Sequence, residues 1–126
     1  MSDINIQKID HSYNEWLSSL DFYLQDLSIL KNRLTEIGGK NNSGEIAKQL
    51  EHYENQFAIQ KNNIEHLQHD IRNSIYEMSE DVRTKAGHVD GVFRNQFSEL
   101  GDKYKAEEQV VNDLRHAFNR FSAEWM

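Results

Sequence analysis

An apolar stripe at heptad spacing runs through the first third of the chain and constrains the fold more than any other feature. With Ile6 as position a, the a series reads Ile6, Tyr13, Leu20, Leu27 and Leu34. The d series reads Ile9, Trp16, Tyr23, Leu30 and Ile37. Every one of these positions is apolar or aromatic, so a helix over this stretch buries one continuous stripe along its whole length. The chain has no proline, so no residue is barred from donating a helical hydrogen bond. The stripe predicts a first helix from about residue 3 to residue 37. Ser12 and Glu15 have the spacing of a capping box, but the heptad pattern already holds upstream of them. Gly38 and Gly39 are the expected stop, because glycine takes the left-handed residue past a helix end without steric cost.

The rest of the chain repeats this logic. Lys40 to Gly44 reads as a loop, with Asn42 and Glu45 placed to cap a second helix over about 45–83. That helix should bury Ile46, Leu50, Tyr53, Phe57, Ile64, Leu67 and Ile71. Its pattern then steps by four, three and four through Ile75, Met78 and Val82, a stutter that unwinds a supercoil locally. Gly87, Asp90 and Gly91 mark a turn at about 84–90. A third helix over about 91–125 carries Phe97, Tyr104, Val111, Phe118 and Trp125 on one series. Phe93, Leu100, Glu107, Leu114 and Phe121 form the other. Gly101 falls inside it, at a cost of about 1 kcal/mol against alanine unless a close approach offsets it. Helices of similar length joined by short connections predict an all-α, elongated antiparallel up-down-up three-helix bundle with coiled-coil-like packing, in one domain over 1–126. Two chains sharing a larger helical core is the competing arrangement.

Composition removes several functions. The chain has 126 residues and no cysteine, so disulfide scaffolds, cysteine zinc sites and thiol nucleophiles are excluded. Its formal charge is −7. The most basic stretch, with Arg94, Lys103, Lys105, Arg115 and Arg120, is interleaved with Asp102, Glu107, Glu108 and Asp113. That is a mixed-charge solvated face and not the basic stripe that nucleic acid requires. Acidity also disfavours anionic membrane surfaces, and no apolar run approaches the roughly 20 residues of a membrane span. Asp3, Lys8 and Asp10 interrupt any secretory leader, so a cytoplasmic location is expected.

The six histidines raise the question of a metal. Di-metal bundles use inward-facing Glu-x-x-His pairs, and the chain has none. Its nearest pairs are Asp113 with His116 and His66 with His69. In the heptad frame His11, His69 and His116 fall at f, and His52 and His66 fall at c, positions that face water. His88 lies in the second turn. No phosphate loop, nucleophile elbow or zinc-protease motif is present, so no enzyme, metal centre or cofactor is expected.

Two groups of residues break the pattern. Gln60, Ser74 and Glu107 are polar at core positions, a layer that fixes register or, alternatively, lines a small-ligand or metal-ion pocket together with surface histidines. With the second turn centred near residue 84, Lys61 lies level with Glu107 and could pair with it. Phe22, Ile29, Ala58 and Ile59 are apolar where water is expected, with Ile59 placed level with Phe22. A clustered set of this kind marks a partner surface, most simply that of a homodimer.

Glu51-His52-Tyr53-Glu54-Asn55-Gln56-Phe57-Ala58-Ile59-Gln60 resembles an E-H-F-x-N-Q-F-I-x-Q stretch. Phe118-Asn119-Arg120-Phe121-Ser122-Ala123-Glu124-Trp125-Met126 resembles an F-x-R-F-x-x-K-W-M ending, with Glu124 where that ending has lysine. Together with Glu15-Trp16-Leu17 they are similar to a family of small all-helical proteins of unknown function from Bacteroidetes-type bacteria. The resemblance implies a bacterial helical bundle and carries over no catalytic residue. The expectation is a non-enzymatic interaction or scaffold protein, acting by self-association or on a protein partner.

Overall fold

The computed structural model describes residues 6–84 and 91–125. They form three helices: α1 (Ile6–Lys40), α2 (Gly44–Thr84) and α3 (Gly91–Trp125). At the helical rise, α1 and α3 are about 52 Å long and α2 about 61 Å. All three pack against one another, which makes an all-α three-helix bundle. The order in which they meet sets the register. Tyr13 on α1 meets Ser74 on α2, Asp21 meets Gln68, and Gly38 lies beside Leu50, so α1 and α2 are antiparallel. Tyr23 meets Glu108 and Asp26 meets Arg115, so α1 and α3 run parallel.

The stripe read from the sequence is the core. Ile9, Leu20, Ile37, Ile46, Ile64, Ile71, Val111 and Phe118 are fully buried. Ile6, Trp16, Leu50, Tyr53, Ile75, Phe93, Phe97 and Trp125 are partly buried and pack against it. Near the α1–α2 connection the core is aromatic: Tyr53 has ring centroids 5.3 Å from Phe118 and 4.9 Å from Phe121. Phe57 lies 5.2 Å from Phe118. Toward the other end Trp16 stacks between Phe97 and Tyr104 at 5.2 and 5.4 Å, with its edge to Tyr13 at 5.5 Å.

Two boundaries differ from expectation. α1 does not stop at Gly38 and Gly39 but continues through both to Lys40. Neither glycine takes the left-handed conformation that a glycine stop uses. The end is closed instead by Asn41, whose Nδ2 donates to the Ile37 carbonyl at 2.8 Å, one of the carbonyls a helix terminus leaves without a partner. Nor does a close approach require glycine at 38: a Cβ there would stand 3.5 Å from Leu50 Cδ1, an ordinary contact. α2 starts at Gly44 and reaches Thr84. The residues before 6 and residues 85–90, where the sequence predicts a turn with His88 and Asp90, lie outside the described residues.

Candidate functional site

The polar residues read as one core layer occupy two separate levels. Ser74 is buried, and its hydroxyl donates to Gln96 Oε1 at 3.0 Å while it lies 3.1 Å from the Tyr13 hydroxyl. This small network ties all three helices together. Burial raises the Tyr13 phenol, and the bond to Ser74 acts in the opposite direction. At about 1.5 Å per residue, Gln60 sits roughly 20 Å further along α2.

Gln60 is sealed in the core. Its amide end meets the Glu107 carboxyl on α3: with the amide turned so that its nitrogen faces the ionised group, that nitrogen donates to it, 2.6 Å from one oxygen and 3.2 Å from the other. Lys61 therefore does not pair with Glu107, as the sequence had suggested. One residue along a helix is a rotation of about 100°, and Lys61 lines the α1–α2 groove instead, with Leu24, Lys31 and Glu65. Glu107 is part-buried, and that burial raises its carboxyl from 4.5 to about 7. It opens on a groove of about 300 Å³ between α2 and α3, lined also by His66, Leu67, Asp70, Lys103 and Val110.

A further network was not legible. Glu108 Oε2 accepts the Tyr23 hydroxyl at 2.7 Å and the Tyr104 hydroxyl at 3.0 Å. Beside it Arg115 Nη1 lies 3.3 Å from Asp26 Oδ2, and Arg115 Nη2 donates to Asn112 at 2.6 Å. Burial, then the bond to Glu108, raises the Tyr23 phenol strongly; burial comes first for Tyr104 as well. Gln68, also sealed in the core, donates to Asp21 at 2.8 Å. The signal for these was the phenol at a and d positions: a buried tyrosine brings a hydroxyl that needs a partner. Which carboxylate answers depends on how the helices are rotated.

No family model, curated protein or solved structure matches this chain.

Among the described residues no group of three or more His, Asp and Glu is placed to hold a metal ion, and no helix is long and apolar enough to cross a membrane. Of the surface apolar residues, Phe22 and Ile29 are each 56% exposed and Ile59 48%. The structure separates them. The register set by Asp21–Gln68 and Gly38–Leu50 puts Ile59 level with Ile29, not with Phe22. At about 100° per residue, Phe22 and Ile29 lie on the side of α1 that carries Asp26, which pairs with α3. Ile59 lies on the side of α2 that carries His66 and Asp70, toward α3. Ala58 alone of the four lines the α1–α2 groove, a channel of about 580 Å³ floored by Leu24, Leu27 and Phe57. The predicted cluster is thus Phe22 with Ile29 on one face, and Ala58 and Ile59 on two others. The physical reason is that adjacent residues on a helix point in different directions, so sequence proximity of Ala58 and Ile59 does not make a patch.

Proposed function

We propose that this chain is a non-enzymatic interaction module, a scaffold bundle that docks a second copy of itself or another protein against the outer face of α1. The observation that carries this is the pair Phe22 and Ile29. They are one heptad apart, about 10 Å along the helix, and more than half exposed on the same side. Single exposed apolar residues are ordinary, whereas two aligned on a rigid helix form an anchor stripe of the kind that carries binding energy. The acidic remainder of the surface keeps the chain soluble and slows indiscriminate association. A homodimer is the simplest form of such contact.

The test is sedimentation velocity on the wild type and on a Phe22→Glu, Ile29→Glu variant, with a photo-crosslinker at position 22 in the source cells. A wild-type dimer, or a crosslinked partner, that disappears in the still-helical variant supports the proposal. A wild type that stays one chain at every concentration and crosslinks to nothing overturns it. Because both side chains are on the surface, the substitutions should change folding stability by no more than about 0.5 kcal/mol.

A further inference from the structure

We propose that Gln60 and Glu107 form a proton-operated clasp on the seam between α2 and α3, dry and closed when Glu107 carries a proton and hydrated when it is ionised. The geometry rests on what a carboxylate demands. An ionised carboxylate offers about four acceptor sites, and the Gln60 NH₂ group can serve two of them at most. With that nitrogen turned to the carboxylate it already stands 2.6 and 3.2 Å from the two oxygens. Among the described residues no cation forms an ion pair with Glu107. The remaining acceptor sites call for water, and the groove on which Glu107 opens has room for it, with about 300 Å³ between the helices. Protonation removes most of that demand: the Gln60 amide turns over so that its oxygen accepts the new carboxyl O–H, and Leu67 and Val110, which line the same groove, close over the pair.

The charged neighbours favour neither state outright. From α2, His66 and Asp70 line the groove; from α3 itself, Lys103 does. Asp70 opposes ionisation of Glu107, while Lys103 and a protonated His66 favour it. From α1, Asp21 is engaged by Gln68, and the Tyr23 hydroxyl is given to Glu108. Burial raises the Glu107 carboxyl to about 7, which puts the change of state near neutrality. A clasp of this kind acts on the α2–α3 face alone, because the α1–α3 seam is held by the separate Tyr23–Glu108–Tyr104 network.

The experiment is amide hydrogen exchange read by NMR at pH 5.5 and pH 8, corrected for chemical exchange, with the Glu107 side-chain carboxyl followed by ¹³C shift. Amides of α2 and α3 around Gln60 and Glu107 should lose protection by on the order of tenfold at the higher pH. Amides around Tyr23 on α1 serve as the unchanging reference. The ¹³C midpoint should lie near neutrality and coincide with the loss of protection. Glu107→Gln should make the seam insensitive to pH, and His66→Asn should leave the transition in place. A carboxyl midpoint in the ordinary range, a Glu107→Gln variant that keeps the pH effect, or a His66→Asn variant that loses it overturns the proposal.

Discussion

Replacing Gly101 by alanine sets two effects of similar size against each other. In a helix interior alanine is favoured over glycine by about 1 kcal/mol, so Gly101→Ala should stabilise α3 if nothing stands in the way. Something does: a Cβ at 101 would lie 3.1 Å from Trp16 Cη2 and 3.5 Å from Cζ2. The indole is not free to withdraw. It is stacked on Phe97 with planes 11° apart and on Tyr104 at 16°, and its edge meets Tyr13. Moving it by a few tenths of an ångström slides it across both rings, an overpacking cost of about 1–3 kcal/mol. The net expectation is destabilisation by about 1 kcal/mol. In a Trp16→Leu background the obstacle is gone, and the same substitution should stabilise by about 1 kcal/mol. A double-mutant cycle from urea denaturation, read by circular dichroism at fixed protein concentration, should therefore give a coupling of about 2 kcal/mol and a change of sign. Stabilisation by the full alanine gain in the wild-type background would refute the reasoning, because it would mean that Trp16 does not hold its place over Gly101.

Two other predictions follow from the polar contacts. Glu107 holds its proton to a higher pH when folded than when unfolded, so its contribution to stability is present below about pH 4.5 and lost as pH rises through about 7. The full displacement corresponds to about 3 kcal/mol. Water at the open groove and the Gln60 N–H both favour the anion and reduce this to about 1–2 kcal/mol. Wild-type stability minus that of Glu107→Gln should fall by that amount between pH 4.5 and 8 in denaturation curves, and a flat difference would contradict it. Tyr23→Phe and Tyr104→Phe should each cost about 1.5–3 kcal/mol, because each removes a hydroxyl bonded to the Glu108 carboxylate. The double variant should cost more than the sum, since it leaves that carboxylate without either donor; strict additivity in the same denaturation assay would show that the two hydroxyls act independently.

The sequence by itself determined the element type, the number of helices and most of the core. A period of three and four with no proline admits few alternatives to long helices, and an uninterrupted stripe must be covered by neighbours. The start of α3 at Gly91 and the burial of Gln60 and Ser74 were legible for that reason. The end of α1 was not, because Gly38 and Gly39 carry the same signal whether they stop a helix or lie within it, and the capping side chain is Asn41.

What only the tertiary structure decided is partnership between helices. Heptad notation places residues on a stripe but leaves the rotation and slide of one helix against another open. The rotation of α2 by one residue made the pair Gln60–Glu107 where Lys61–Glu107 was expected, and a register seven residues from the expected one put Ile59 level with Ile29 and not with Phe22. The same relative placement chose Glu108, which reads in sequence as one more surface charge, as the acceptor of two buried phenols. Burial follows from period, which is local in the chain. Pairing follows from the summed fit of three helices packed side by side, and no single stretch of sequence contains it.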